Sequence, residues 1–91
     1  MTNEDVAARL KRMAMRSWRR GTKEMDLVLG PYADTELAAM TLAELDAYDA
    51  LLAENDQDLM AWMLGQKPAP AHHAPLVAVL RTYAATRLRA G

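Results

Sequence analysis

The stretch TLAELDAYDALLAE, residues 41–54, decides the fold class. Thr41 followed three residues later by Glu44 is a capping box. The hydroxyl accepts from the third helical N–H and the carboxylate accepts from the Thr41 N–H, which satisfies two donors that a first helical turn leaves unpaired. Behind the box, Leu42, Leu45, Tyr48 and Leu52 recur at three- and four-residue steps, the spacing of one helical face. A helix is predicted from Thr41 to near Glu54.

The same grammar extends in both directions. Upstream, Asn3 is a candidate N-cap with Glu4 and Asp5 in the first turn and bases towards the far end, which complements the helix dipole and predicts a helix from Asn3 to Trp18. Val6, Leu10 and Met13 should face the core, while Arg9, Arg12, Arg16 and Arg19 form a basic stripe. Gly21 interrupts. A second helix is expected from Thr22 or Lys23 through Leu37, kinked or locally broken at Gly30-Pro31 because proline lacks the amide donor. Downstream, Asp56 is the expected cap of a short helix that turns Leu59, Trp62 and Met63 inward, with Gly65 as its left-handed terminator. Residues 66–75 hold three prolines and two histidines and read as a connector. A last helix should run from Pro75 to Arg89 with Leu76, Leu80, Tyr83 and Leu88 on its apolar face. Five helices with short links predict an all-α fold, a compact five-helix antiparallel bundle forming a single domain over residues 1–91.

Composition narrows the function classes. A 91-residue chain buries only about 60–65% of its unfolded surface, which leaves little interior for a deep substrate cavity. With no cysteine there is neither a disulfide framework nor a thiolate metal site. The longest apolar runs, residues 59–64 and 76–80, fall far short of the roughly 18 residues needed to cross a bilayer, and the acidic amino terminus does not resemble a targeting signal. A cytoplasmic protein without membrane insertion is expected. Charge is uneven: residues 1–23 carry seven bases against two acids, whereas residues 24–58 carry ten acids and no base. That acidic middle argues against a nucleic-acid role for the basic stripe, because phosphate steering would be blunted.

Catalytic constellations are missing from the sequence. His72 and His73 are adjacent in a Pro-rich loop and lack the usual metal-ligand spacing, so they read as solvated loop histidines with no metal. Ser17 has neither a strained turn nor a nearby histidine. The four glycines stand singly at 21, 30, 65 and 91, outside any phosphate-loop pattern. Asp56 and Asp58 suit a helix N-terminus better than acid–base work. Trp62 and the methionines read as core, and Trp18 is undecided between core and surface. No enzymatic activity is expected.

The segment RRGTKEMD, residues 19–26, is more than a helical bundle requires. Gly21 implies either a turn with positive φ or close approach by another backbone. If residues 20–24 are helical, Arg20, Gly21 and Glu24 share one arc of about 100°, offering a fork donor, an acceptor and bare backbone to a partner. The alternative is an ordinary turn beside an exposed Arg20–Glu24 ion pair.

These residues resemble the succinate dehydrogenase assembly factors that promote covalent flavinylation, whose hallmark is R-R-G-x-x-E-L-D at the start of the second helix. The likeness runs from about Met15 to Leu80. Trp18 to Gly21 is similar to a W-x-x-R-R-G approach with the tryptophan displaced inward, and DAYDALLAEN at residues 46–55 follows. Asp58-Leu59 with Trp62 matches D-L-x-x-W, and Gly65 to Pro68 looks like a G-K-P loop. Met25 stands where leucine is usual, a volume-conserving change. The resemblance implies a helper, binding no cofactor itself, that docks on the flavoprotein subunit of succinate dehydrogenase or a fumarate reductase relative while FAD is attached to that partner. Arg19, Arg20, Gly21, Glu24 and Asp26 would be its partner-binding residues, with Asp26 supporting the local structure. An apolar patch left for the partner would drive a weak homodimer in the free protein. A generic helical adaptor and a basic-helix nucleic-acid binder are the rival readings.

Overall fold

Side-chain caps set where the helices begin. The computed structural model describes the backbone of residues 3–90 and the side chains of residues 6–86. Five α-helices follow one another: α1 (Asn3–Trp18), α2 (Lys23–Glu36), α3 (Leu42–Leu52), α4 (Asp56–Met63) and α5 (Ala74–Ala90), with a 3-10 turn, Leu37–Ala39, between α2 and α3. Among the described residues the fold is all-α, as expected.

Thr22 Oγ1 accepts from the Met25 N–H and starts α2. The predicted box at α3 is complete: Glu44 N–H donates to Thr41 Oγ1 at 3.1 Å and Thr41 N–H to Glu44 Oε1 at 2.8 Å. The cap of α4 is Asn55 rather than Asp56, because Asn55 Oδ1 accepts from the Asp58 N–H at 2.8 Å and leaves the Asp56 carboxylate for another task. Gly65 terminates α4 with φ 75°, and the Gln66 and Gly65 amides donate back to the Ala61 and Trp62 carbonyls, the paired bonds of a Schellman ending. The capping assigned to Asn3 and the inward face assigned to Leu88 lie outside the described side chains.

Three expectations fail for physical reasons. Of the kink or break expected at Gly30-Pro31, the break does not occur, and α2 is one continuous helix. Pro31 removes one backbone donor, but Met25, Val28 and Leu29 on one side of it and Tyr32 and Ala33 on the other are buried, and their packing holds the segment in one helix. Val6, expected in the core, is exposed because Leu10, one turn later, is the first apolar residue of α1 packed against the core. Leu42 is 65% exposed. The buried face of α3 is Leu45, Tyr48, Leu51 and Leu52, and Leu42 points roughly 110° away from its mean direction at about 100° per residue.

Helix α1 packs chiefly on α2 and also on α3, while α5 packs on α2 and α4. Met13, Met25, Leu29, Tyr48, Leu51, Leu59 and Leu80 fill the centre. Trp62 is buried as expected, and Tyr32 packs tilted on Tyr48 and edge-on to Tyr83, with centroids 5.8 and 5.2 Å away. Ser17 is fully buried. It donates to the Met13 carbonyl at 2.8 Å and lies 2.6 Å from Tyr48 Oη, so it is a core hydrogen-bonding group. Burial, the largest cause, pushes the Tyr48 phenol up to about 12.

Candidate functional site

The turn between α1 and α2 carries the RRGTKEMD segment, and the structure resolves why a glycine stands there. Arg20 and Gly21 precede α2, so the helical arc shared by Arg20, Gly21 and Glu24 does not form. Arg20 reaches instead to the corner between α3 and α4. Its Nε donates to Asp56 Oδ1, its Nη1 to the Leu52 carbonyl and its Nη2 to the Glu54 carbonyl, each at 2.8 Å. The planar fork matches three acceptors that no point charge could serve at once. The carbonyl of Leu52 belongs to the last turn of α3, whose acceptors lack helical partners, so Arg20 also acts as a C-terminal cap.

Asp56 closes the arrangement. Its second oxygen accepts from the Gly21 N–H. Neither reason open for this glycine holds as expected: the close approach is made by a side-chain carboxylate, not by another backbone. Gly21 has no positive φ, and a Cβ at this position would collide with the Asp56 carboxylate. Asp26 Oδ1 accepts from the Arg20 N–H at 2.6 Å and holds the turn from the α2 side. Arg20 is therefore largely buried, its side chain 10% exposed, and its guanidinium is occupied within the chain. Sequence reasoning paired Arg20 with Glu24 and missed Asp56, which is 36 residues away and had been assigned to capping.

What remains presented to solvent is Arg19, Gly21, Lys23 and Glu24, all exposed. Two shallow concavities flank them. Arg12, Met15, Arg16 and Arg19 line a basic one on the α1 side. Glu24, Leu27, Met60, Met63, Leu64 and Ala84 line a more apolar one among α2, α4 and α5, where Leu27 and Leu64 are among the exposed large hydrophobics. The basic stripe is partly neutralised from within: Arg9 pairs with Asp46 and Asp49, and Arg16 with Asp49, across the α1–α3 contact. Trp18, undecided from sequence, is 42% exposed. Its indole lies over Gly30, where a Cβ would overlap the ring, and its Nε1 donates to Asp34 Oδ2 at 3.1 Å.

The histidines depart from the expectation of a solvated loop. His72 is exposed, but His73 is 2% exposed, packed on Trp62 and 2.8 Å from Glu54 Oε2. Glu54, His72 and His73 each bring a ligand atom within 4.8 Å of the others. Spacing missed this cluster because Glu54 lies 19 residues from His73. No helix among the described residues is long and apolar enough to cross a membrane.

Comparison with known proteins bears on the same segments. Residues 11–84 match a family described as the flavinator of succinate dehydrogenase, a range that contains the Arg20 turn, Asp56 and the Gly65 ending. The chain is 41% identical over 72 residues, 79% of its length, to the mitochondrial succinate dehydrogenase assembly factor 2 of Mycosarcoma maydis, and 43% identical over 61 residues, 67% of its length, to that of Candida glabrata. It is 31% identical over 74 residues, 81% of its length, to the FAD assembly factor SdhE of Acetobacter pasteurianus. The matches span 30% and 40% of the two fungal proteins and 68% of the bacterial one. The names of these relatives describe assembly factors, not enzymes. With a matched range that takes in most of the chain and every element that builds the Arg20 corner, this protein belongs to the family of flavinators of succinate dehydrogenase.

Proposed function

We propose that this chain binds the flavoprotein subunit of succinate dehydrogenase, or of a fumarate reductase relative, and promotes covalent attachment of FAD to that subunit. The observation that carries the reading is the Arg20–Asp56 corner, which fixes the exposed Gly21 backbone just ahead of α2, where Glu24 is exposed in the first turn. Gly21 adds no side chain to that surface, and Glu24 offers an acceptor beside the apolar concavity of Leu27 and Leu64. Such a surface suits docking on a preformed polar face of a protein. Arg20 and Asp26 act by positioning it, and Arg19 adds a charge at its rim.

Attachment of flavin is chemistry of the partner and its cofactor. It needs the flavin ring, the accepting side chain and the groups that stabilise developing charge held in one geometry, since small misplacements cost orders of magnitude in rate. The role of this chain is to hold the partner in that geometry while binding no FAD itself. The internal pairing of Arg9 and Arg16 with Asp46 and Asp49 disfavours a nucleic-acid partner for the stripe.

The test is covalent flavin fluorescence of the flavoprotein subunit in denaturing gels, from cells with and without this gene. The band should fall in the deletion and return with the wild-type chain but not with Glu24→Lys, a surface change expected to leave melting unaltered. An undiminished band in the deletion would refute the flavinylation role, and full rescue by Glu24→Lys would refute the docking role of Glu24.

A further inference from the structure

We propose that Glu54, His72 and His73 form a binding site for a divalent ion of the zinc class, adjoining the Arg20 corner through Glu54 but independent of the flavinylation reading. Three facts meet there. Two of the three donors are already placed: His73 Nε2 lies 2.8 Å from Glu54 Oε2, with the His73 ring buried against Trp62 at 5.6 Å between centroids. The third, His72, is exposed and therefore free to turn, and its ring centroid is 4.0 Å from that of His73. One ligand atom from each residue lies within 4.8 Å of the others.

Donors around a tetrahedral ion at about 2.1 Å are about 3.4 Å apart, so the Glu54–His73 pair would open by roughly half an ångström and His72 would swing in by at most about 1.4 Å. Those are side-chain movements. The backbone is already fixed, because the His73 N–H donates to the Pro70 carbonyl and the His73 carbonyl accepts from Val77 at the start of α5. Two imidazoles and one carboxylate favour zinc, nickel or copper over magnesium or calcium, which require oxygen ligands. Exposure of His72 leaves the fourth position to water.

An ion held there would tie the connector before α5 to the end of α3. Glu54 supplies both the carboxylate of the site and the carbonyl that accepts from Arg20 Nη2. The ion would therefore brace the same corner that anchors the Arg20 turn, acting as a latch on the scaffold.

The experiment is calorimetric titration of the untagged full chain with zinc chloride at neutral pH, with magnesium chloride as the comparison. Wild type should take up one equivalent of zinc, with a rise in melting temperature that saturates at that ratio. His72→Ala should weaken zinc binding at least about tenfold, the loss that removing even an outer-shell partner of a metal ligand can cause. Because His72 is exposed, its metal-free melting curve should match wild type, and Glu54→Gln should also weaken zinc binding. No saturable zinc uptake by wild type, equal zinc affinity in His72→Ala, or equal affinity for magnesium would each overturn the assignment.

Discussion

Replacing Arg20 by alanine should weaken the whole fold, because the residue is a clamp before it is anything else. Its side chain is 10% exposed and that of Asp56 21%, so the pair is screened far less than a surface ion pair. Removing one partner of a buried pair costs about 3–5 kcal/mol when the other charge is stranded. Asp56 keeps its bond to the Gly21 amide, and water can reach the Leu52 and Glu54 carbonyls once the guanidinium is gone. The expected loss is therefore lower, about 2–4 kcal/mol. On a domain of this size each kcal/mol moves the midpoint by about 4–8 °C, so Tm should fall by about 8–32 °C. Thermal unfolding followed by tryptophan fluorescence reads this directly. A double-mutant cycle with Asp56→Ala should give a coupling above about 1 kcal/mol. A Tm within about 3 °C of wild type for Arg20→Ala would refute the clamp, and would return Arg20 to the set of free partner contacts.

Two further changes probe the packing around it. Gly30→Ala gains about 1 kcal/mol of helix propensity but drives a Cβ into the Trp18 indole, an overpacking cost of about 1–3 kcal/mol. Net destabilisation with a shifted Trp18 emission, recorded in a Trp62→Phe background, is expected, and a net gain in stability would show that the ring does not depend on the bare glycine. At alkaline pH, Tyr48 should be the titrating group that matters most. Its folded value of about 12 lies above the ordinary 10, so the folded state holds its proton more tightly. The stability it contributes is complete below about pH 10 and falls by roughly 3 kcal/mol as pH rises towards 12. Tyr48→Phe should flatten that part of the urea-midpoint profile, and an unchanged profile would contradict it.

Much of the fold was legible because capping and amphipathic spacing act between residues no more than about four apart. Thr41 and Glu44, Leu45 and Tyr48, and Gly65 at the end of α4 all found their predicted places. Apart from the α4 cap, where Asn55 stands in place of Asp56, the readings that failed needed a neighbour distant in sequence. The exposure of Val6 and Leu42 depends on which part of α1 and which face of α3 the other helices cover, and the continuity of α2 through Pro31 depends on burial on both sides of the proline. At the candidate site, residues 19–26 were visible as an unusual segment, but the reason for Gly21 was not.

The sequence by itself determined five helices, most of their ends, an all-α class and a segment whose likeness to a flavinylation factor is matched by the family over residues 11–84. Only the tertiary structure decided that Arg20 turns inward to Asp56 across 36 residues, that Gly21 is bare because a carboxylate occupies the space of its Cβ, and that Glu54 meets the histidines 19 residues away. The reason is physical. A helix cap is satisfied by the next turn of its own chain, whereas a guanidinium with three acceptors on another corner is satisfied only after the cores of α1, α2, α3 and α4 have packed and fixed that corner in space.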